Sequence, residues 1–310
     1  MKIAVIGSFI VDLMARAPHL PEPGETVMGT FFKSGPGGKG SNQAIAARRA
    51  GCDVMFATKL GRDDFARIAR DFYQAEGLDT TYVFDTDRAA TGTALISVDE
   101  QTRQNEIIVV PGACETFDEA DIQRLLPLLD GCDYLLVQLE INLSALERLV
   151  DESHQRGVRV ILNPAPVQPL PDALYAKLYM VTPNEVEARI LTDENCDTLE
   201  GCRRAAQVFL SRGVEEVIIT LGKRGVYGAN RSGEFTLENY DVPVVDTTGA
   251  GDAFNGGLLA GLARGLTVPR AAAFGNVVSN LAVTRIGTAV AMPSLEEIES
   301  FLSAHPLPEG

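Results

Sequence analysis

The residues best placed to do chemistry lie in one stretch, 244–257, where a β-like run meets two glycines and then an apolar-periodic helix. Gly249 and Gly251 let the backbone come close to an anion, and the free N–H groups of the first helical turn would point at it. Asp252 falls in that turn, where a carboxylate can orient a hydroxyl group and accept its proton. Glycine turns followed by aspartate are also common in ordinary α/β proteins, so this stretch taken alone is compatible with a structural turn.

A second glycine cluster, 35–44, also precedes a predicted helix. It carries a cation, Lys39, and an amide, Asn42, and both groups are suited to recognising hydroxyls. The cluster is not a Walker A loop, because Gly40 separates Lys39 from Ser41. It therefore fits a neutral polyol better than a nucleotide.

The overall charge limits the partners. The chain has 42 acidic and 27 basic residues, a formal net charge of −15, and such a surface repels nucleic-acid backbones and anionic lipids. We expect no nucleic-acid and no membrane partner, and a bound nucleotide would depend on backbone N–H groups, a helix N-terminus, a few cations and Mg²⁺. The N-terminal run 1–7 is too short for a signal peptide, and the five scattered cysteines suggest reduced thiols. We therefore predict a cytoplasmic protein.

The elements that must position these groups follow a regular alternation. Short apolar runs are separated by helix-length amphipathic stretches, which predicts an α/β fold with a doubly wound, mostly parallel sheet and helices on both faces. The predicted strands are 2–6, 54–59, 134–138, 159–162, 178–181, 216–220 and 226–229. The predicted helices are 40–50, 64–76, 118–129, 143–156, 184–191, 198–212, 250–264, 268–284 and 294–304.

Two segments interrupt the alternation, 25–33 and 92–110, and both have the composition of β segments in hairpin-like arrangements. They predict one domain over 1–310 that carries a small β lid built from about 11–34 and 92–111. The lid would be partly apolar on its outer face and able to pair with a second subunit. We therefore expect a homodimer formed through the lid.

Taken together, the two glycine motifs resemble the two signatures of the ribokinase (PfkB-type) carbohydrate kinase family. Further motifs stand in the order that this family shows, at 7–12, 138–140, 163–166, 182–187 and 220–225. The resemblance covers essentially the whole chain. It implies transfer of the γ-phosphoryl group of ATP to a sugar hydroxyl, O5 of a pentose such as ribose or 2-deoxyribose, with Mg²⁺ as cofactor.

The resemblance also implies a role for individual positions. Asp252 would be the general base, beside an anion hole formed by Gly249, Ala250 and Gly251. The sugar would be bound by Asp12, Gly38, Lys39, Asn42, Glu140 and Asp252. The nucleotide would lie along Asn184, Thr220, Gly222, Gly225, Gly251 and Asn276. Glu187 would organise Mg²⁺ through water, and a monovalent cation, expected to be K⁺, would lie near Asp246, Thr248, Ala282, Arg285 and Gly287.

Two positions depart from the family pattern. At Ala291 the pattern offers a hydroxyl ligand for the cation, and in the first turn it has an asparagine that reads sugar hydroxyls where this chain has Ile10. A hydroxyl buried against isoleucine would stay unpaired at a cost of about 1–3 kcal/mol. The pocket would then favour a deoxypentose, and deoxyribokinases similarly carry an apolar residue at this turn. Alternatively, Ile10 packs against the lid, Asp12 or water satisfies the hydroxyl, and ribose is the substrate.

Two other functions remain open at this stage. A kinase of the same family for another sugar or for a nucleoside would share the fold and the chemistry of Asp252 and differ only in its pocket. A non-catalytic regulator that binds sugar would keep the pocket alone, and the intact Asp252, glycines and Glu187 argue against it.

Overall fold

Thirteen strands and ten α-helices make up the part of the chain that the structure describes, residues 1–102 and 104–308 of a computed structural model. The strands are β1 (Ile3–Ile6), β2 (Ile10–Ala17), β3 (Phe31–Gly37), β4 (Val54–Gly61), β5 (Tyr82–Thr86), β6 (Gly92–Asp99), β7 (Asn105–Val110), β8 (Tyr134–Val137), β9 (Arg159–Leu162), β10 (Met180–Val181), β11 (Glu216–Thr220), β12 (Val226–Asn230) and β13 (Gly233–Leu237). The helices are α1 (Lys39–Arg49), α2 (Asp64–Ala75), α3 (Glu119–Leu129), α4 (Leu143–Gln155), α5 (Asp172–Tyr175), α6 (Glu185–Thr192), α7 (Leu199–Ser211), α8 (Ala250–Ala263), α9 (Val268–Ala282) and α10 (Leu295–Ala304).

The main sheet has nine strands in the order β13-β12-β11-β10-β9-β8-β1-β4-β5. Its strands pair in parallel except for β12 and β13, which extend one edge in antiparallel pairing. Successive side chains of β1 point to opposite faces, so that Ala4 and Ile6 enter one buried core and Ile3 and Val5 enter the other. The predicted doubly wound, mostly parallel α/β fold is therefore confirmed.

Helices cover both faces of this sheet. On one face α3, α4, α6 and α7 contribute apolar side chains such as Leu125, Leu146 and Phe209. On the other face α1, α2, α8, α9 and α10 contribute side chains such as Ala44 and Leu258. The nine helices predicted from periodicity are all present with ends within two residues, and the one-turn helix α5 is the helix that the periodicity did not predict.

The predicted strands of the main sheet are also present, and the two that were not predicted, β5 and β13, lie at its two edges. An edge strand is covered less completely than a central strand and has no need of a continuous apolar run. In β13 no residue is fully buried, and in β5 the exposed Asp85 interrupts the buried residues Val83, Phe84 and Thr86. The sequence signal used for the central strands is therefore weak in both.

A second sheet has the strand order β3-β2-β6-β7. The pairs β2/β3 and β6/β7 are antiparallel, and β2/β6 is parallel. The expectation of a β segment over 25–33 is wrong in its bounds, because the strand begins at Phe31 and continues to Gly37. Residues 25–29 have no regular secondary structure and follow a turn at Pro23 and Gly24.

The course of β3 determines where the glycine cluster lies. Gly35–Gly37 pair with Ile10–Asp12, so the glycine cluster is carried on a strand that runs directly into α1. Strand β2 in turn follows β1 after a three-residue turn, 7–9. The glycine cluster is thereby held at the carboxyl end of β1, where ligands bind in open α/β sheets. Within the described parts of the chain, no helix combines the length and the apolar character that crossing a bilayer would require.

Candidate active site

Helix α8 begins at the site with a glycine in the left-handed region. Gly249 is the N-cap residue with φ 77°, and no side chain caps the free N–H groups of the first turn. Asp252 lies in that turn and is 6% exposed. A helix start of this kind presents uncompensated N–H groups to an anion, with a carboxylate beside them.

Two side-chain amides from α1 hold the Asp252 carboxylate. Asn42 Nδ2 donates to Asp252 Oδ2 at 2.9 Å, and Gln43 Nε2 donates to Oδ1 at 2.9 Å. Helix α1 also begins at a glycine in the left-handed region, Gly38, with φ 86°. A Cβ at Gly38 would lie 2.6 Å from the backbone nitrogen of Ile10, so a larger residue would push α1 away from the site. The structure thus brings the two glycine motifs together although 210 residues separate Asn42 from Asp252.

Two further carboxylates, Glu140 and Glu187, and one cation, Lys39, lie near Asp252. Glu140 Oε2 accepts a hydrogen bond from the backbone N–H of Lys39 at 2.8 Å and another from Ser8 Oγ. Burial raises the pKa of Glu140, and the charge of Lys39 opposes that rise. Burial by itself would lower the pKa of Lys39, but the carboxylates of Asp252, Glu140 and Glu187 raise it above its ordinary value. Lys39 therefore stays charged among three carboxylates.

Among the carboxylates of the site, Asp12 has the weakest hydrogen bonding. Burial raises its pKa to about 6, and nearby Glu140 and Asp252 add to the rise. The one side-chain donor recorded for it is the hydroxyl of Thr288, 3.3 Å from Asp12 Oδ2, which partly opposes the shift. Asp12 is therefore a carboxylate with unused acceptor capacity, which suits the binding of hydroxyl groups.

Two cavities lie next to the turn before α8. The larger, about 440 Å³, lies between the second sheet and the loops at 245–248 and 286–290, and Asp12 and Thr248 are among its walls. The smaller, about 160 Å³, is lined by Lys39, Asn163, Ala165, Thr182, Asn184, Glu187, Thr220, Thr247, Gly249, Ala250, Gly251, Asp252 and Asn255. Asp252 and the start of α8 thus face the smaller cavity, and Asp12 faces the larger.

The residues expected along a nucleotide divide into two groups. Asn184 and Thr220 form a parallel bridge at the wall of the smaller cavity. Gly222 and Gly225 both have positive φ, 53° and 87°, in a short helical turn after β11. Asn276, in α9, is linked to this turn indirectly. Its carboxamide donates to the carbonyl of Glu238 at 2.9 Å, and the next residue, Asn239, contacts Gly222. Asn184, Thr220, Gly222 and Gly225 thus lie at the end of β11 or directly after it, and Asn276 is connected to them through the segment 238–239.

Among residues 1–102 and 104–308, no group of three or more acidic, histidine or cysteine side chains is arranged so that it could by itself hold a metal ion. Besides Asp252, the smaller cavity is lined by one other carboxylate, Glu187, and burial raises the pKa of Glu187. Its Oε2 also caps α6 by accepting from the backbone N–H of Asn184 at 2.8 Å. A single carboxylate fits Mg²⁺, which keeps several waters and is commonly bound together with substrate phosphates.

The residues expected around a monovalent cation lie in two loops joined by one carboxylate. Asp246 Oδ1 accepts from the N–H of Thr248 at 2.9 Å, and Oδ2 accepts from the N–H of Gly287 at 3.0 Å. The loop before α8 is thereby fastened to the loop after α9. Thr288 continues the connection, because its hydroxyl lies 3.3 Å from both Asp12 Oδ2 and the carbonyl oxygen of Pro36.

The remaining members of that set are less available as ligands. The side chain of Arg285 pairs with Glu297 at 2.6 Å, and the carbonyl of Ala282 accepts from the N–H of Arg285 at 3.3 Å. Ala291 is buried in a short 3₁₀ turn and has no hydroxyl to offer. Apart from the Asp246 carboxylate, backbone carbonyls are therefore the groups that these loops can present to a cation.

Ile10, expected at the sugar, is buried at the base of the second sheet. Its Cδ1 lies against Gly92, where an added Cβ would meet it at 2.5 Å. The residue lines neither of the two cavities described above. Its position favours the alternative in which Ile10 packs within the lid.

Several polar residues of the site were not identified from the sequence: Gln43, Gln138, Asn163, Thr182, Asn255 and Thr288. All of these residues except Thr288 occur within motifs of the sequence, but nothing in the spacing indicated that they would meet. The hydroxyl of Thr288 follows a glycine in an irregular loop, and no sequence signal distinguishes it.

Comparison with known proteins agrees with this geometry. A family model described as pfkB family carbohydrate kinase matches residues 1–295. The ribokinase of Haemophilus influenzae is 35% identical over 300 residues, which cover 97% of this chain and 98% of that protein. The deoxyribokinase of Salmonella typhi is 35% identical over 304 residues, 98% of this chain and 99% of that one. The solved structure of an Arabidopsis thaliana ribokinase complexed with ribose and ATP matches with a TM-score of 0.89 at 26% identity, covering 97% of this chain and 98% of that one. The chain belongs to the pfkB family of carbohydrate kinases.

Proposed function

We propose that the protein transfers the γ-phosphoryl group of ATP to the 5-hydroxyl of a pentose, ribose or 2-deoxyribose, with Asp252 as general base. Relatives that cover almost the whole chain are named ribokinase and deoxyribokinase, and one solved relative was complexed with ribose and ATP. Both pentoses are therefore reasonable substrates. Phosphotransfer to an alcohol group is the activity of the family.

The observation that carries the proposal is the position of Asp252 at the uncapped start of α8. Its carboxylate lies between two amide donors and faces the smaller cavity together with Gly249 and Gly251. Each carboxylate oxygen has a second lone pair that can accept a substrate hydroxyl. A sugar hydroxyl bound to Asp252 would thus stand beside the N–H groups that could stabilise a transferring phosphoryl group.

In the proposed step the hydroxyl oxygen of the sugar forms a bond to the γ-phosphorus. The bond from that phosphorus to the β–γ bridging oxygen breaks, and ADP leaves with its electron pair. The hydroxyl proton passes to Asp252 as the new bond forms. Gly249, Ala250 and Gly251 would hold the equatorial oxygens of the phosphoryl group by their backbone N–H groups.

The sugar and the nucleotide would occupy opposite sides of Asp252. Asp12, Glu140, Asn42 and the Gly38–Lys39 backbone would bind the sugar hydroxyls, because they combine acceptors and donors around the carboxylate. On the other side, the nucleotide phosphates and base would lie along Asn184, Thr220, Gly222, Gly225 and Asn276.

Two metal ions, Mg²⁺ and a monovalent cation, would bind beside the sugar and the nucleotide. Glu187 would hold Mg²⁺ through water, and when bound with ATP this ion supplies neutralisation of phosphate charge. A monovalent cation, K⁺, would be bound by carbonyl and carboxylate oxygens near Asp246, Thr248, Ala282, Arg285 and Gly287. The bonds from Asp246 to both loops support the proposal, because anything bound there would contact the loop that precedes α8.

The second sheet is proposed to act as a lid and as a dimer interface. It forms one wall of the larger cavity, so its movement would open or close the sugar side of the site. It also carries exposed apolar side chains, including Phe32, Leu95, Ile108 and Val110. An exposed apolar sheet face of this kind commonly pairs with a second copy.

The function is tested by measuring ADP release with Mg·ATP and either pentose, with and without K⁺. Asp252→Asn should lower kcat by roughly 10²–10⁴ while the Kd for the sugar, measured by calorimetry, changes little. If Ile10 excludes a hydroxyl, 2-deoxyribose will show the higher kcat/KM, and Ile10→Asn will improve turnover of ribose. A higher kcat/KM for ribose with no gain from Ile10→Asn would assign Ile10 to packing only.

The matched control is Asp64→Asn, which makes the same change in the first turn of α2, at an exposed aspartate. It should leave turnover unchanged. Near-normal turnover of Asp252→Asn would show that another group is the base. Sugar binding without ATP turnover in the unaltered protein would favour a sugar-binding regulator instead.

A further inference from the structure

Behind Asp252 lies a set of buried amide side chains that none of the steps above uses. Gln43 and Gln138 are fully buried and Asn163 is nearly so. Gln43 Nε2 lies 2.9 Å from Asp252 Oδ1 and 2.9 Å from Asn163 Oδ1, and Gln43 Oε1 accepts from Gln138 Nε2 at 2.6 Å. Both N–H groups and the carbonyl oxygen of this one glutamine are therefore bonded to buried polar groups.

These bonds determine which way the Gln43 amide faces. If the amide were turned over, its oxygen would face the Asp252 carboxylate and its nitrogen would face the nitrogen of Gln138, so that acceptor met acceptor and donor met donor. The space around Gln138 is also tightly limited, because a Cβ added at Gly7 would lie 2.0 Å from Gln138 Oε1. The orientation that presents a donor to Asp252 is thus maintained by its neighbours.

The hydrogen bonds continue from Asn163 back to the helix that carries Asp252. Asn163 Nδ2 donates to the carbonyl of Thr182 at 3.1 Å, and the Thr182 hydroxyl donates to Asn255 Oδ1 at 2.6 Å. Asn255 Nδ2 in turn donates to the carbonyl of Gly251 at 2.8 Å. The network therefore ties the Asp252 side chain and the first turn of α8 to the ends of β8, β9 and β10.

We propose that Gln43 is a positioning residue for phosphoryl transfer, which holds the Asp252 carboxylate in the orientation that meets the sugar hydroxyl. The inference rests on the proposed role of Asp252 as base. Asn42 also holds that carboxylate, but it is expected to contact the sugar as well, whereas Gln43 bonds only to protein groups. Gln43 should therefore affect turnover with little effect on sugar affinity, since small misplacements of a catalytic group are costly.

Gln43→Leu tests this, because leucine has a similar size and no amide. We expect kcat to fall about 10- to 100-fold while the Kd for the pentose stays within about threefold of its original value. Gln43→Glu places a second carboxylate against Asp252 Oδ1 and disfavours its ionised form. The acid limb of the pH profile of kcat/KM should then move to higher pH, an effect that a purely structural role would not produce.

The matched control is Tyr73→Phe. It removes another buried hydrogen bond to α1, from the Tyr73 hydroxyl to Ser41 Oγ at 3.3 Å, and Tyr73 does not contact Asp252. Turnover should be unchanged. Thermal unfolding of each variant shows whether it folds, and if Gln43→Leu does not, the pH profile of Gln43→Glu decides.

The outcomes separate this inference from the proposed function. If Asp252→Asn is inactive but both Gln43 variants keep kcat within about twofold and an unmoved acid limb, the positioning role of Gln43 is wrong. An equal loss of kcat and of sugar affinity in Gln43→Leu, with the acid limb of Gln43→Glu unmoved, would also overturn it. If Asp252→Asn itself turns over normally, the proposed base is wrong and the inference falls with it.

Discussion

Asp12 and Asp252 are carboxylates of the same site in different surroundings. Asp252 accepts from two side-chain amides, whereas Asp12 has one recorded side-chain donor, the hydroxyl of Thr288, and is largely buried. Burial without enough donors disfavours the charged form, which is why the pKa of Asp12 rises to about 6. A sugar hydroxyl would supply the donor that Asp12 lacks, so binding should favour its ionised form.

This difference predicts a pH dependence of sugar binding. Above about pH 6 Asp12 is ionised and can accept hydrogen bonds from hydroxyls, and as the pH falls through about 6 it gains a proton and loses acceptor capacity. The Kd for the pentose, measured by calorimetry without nucleotide, should therefore rise as the pH is lowered through that value. Asp12→Asn should bind more weakly at neutral pH and show a flatter profile, while an unchanged profile would contradict the role of Asp12.

The same pKa shift has a consequence for stability that serves as a control. The folded-state pKa of about 6 lies above the ordinary value of 3.8. The contribution of Asp12 to stability is then fully present below about pH 4 and is lost as the pH rises through about 6. Asp12→Asn should consequently raise the free energy of unfolding at neutral pH, measured with urea, even though it weakens sugar binding.

At the scale of elements, the two helices that meet at Asp252 begin differently from most others. Asp63, Asp118 and Thr198 cap their helices by accepting backbone N–H groups, but α1 and α8 begin at Gly38 and Gly249, with no side-chain cap. A capping side chain would occupy the N–H groups that an anion needs. The absence of a cap at α8 therefore agrees with its proposed role in phosphoryl transfer.

Gly249→Ala should separate stability from activity. Alanine at φ 77° is strained by about 1–2 kcal/mol, and its Cβ would press on Thr288 Cα at 3.3 Å, which should displace the start of α8. We expect a large loss of kcat, with a drop in thermal stability that is moderate for a chain of this size. Kinetics with Mg·ATP and unfolding measured by calorimetry provide the two readouts.

Gly265→Ala is the matched control for that change. Gly265 follows the opposite end of α8, has φ 78°, and has open space around an added Cβ. It should cost a similar amount of stability and leave kcat unchanged. Equal losses of activity in the two variants would mean that strain alone, and not the start of α8, causes the effect.

At the scale of the whole molecule, the second sheet is the part with the most exposed apolar surface. Leu95 and Ile108 are 50% and 64% exposed, and they are paired across β6 and β7. We expect the protein to be a dimer through this sheet, and Ile108→Lys to convert it to a monomer, because a lysine charge would be buried in the interface. Sedimentation velocity measures the change.

Ile190→Lys provides the comparison for the dimer. Ile190 is an isoleucine of similar exposure, 57%, on α6 rather than on the second sheet. It should leave the mass unchanged. A monomer in the unaltered protein, or an Ile108→Lys variant that remains a dimer, would contradict an interface through the second sheet.

The sequence by itself determined the features that depend on neighbouring residues. Apolar runs and helical periodicity are written in consecutive residues, so the central strands, the nine longer helices and the class of fold could be predicted. The proposed chemistry of 249–252 rests on the same kind of local information, because one helical turn holds both the glycines and the aspartate.

Tertiary structure alone decided which distant residues meet. Gln43 and Asp252 are 209 residues apart, and Asp12 and Thr288 are 276 apart, so no local pattern records either contact. Strand pairing between remote segments likewise determines that β3 runs into α1 and that Ile10 is buried at the base of the second sheet. Local sequence specifies which groups are present and on which element, whereas their hydrogen bonds, burial and pKa values depend on the packing of elements that the chain brings together only when it folds.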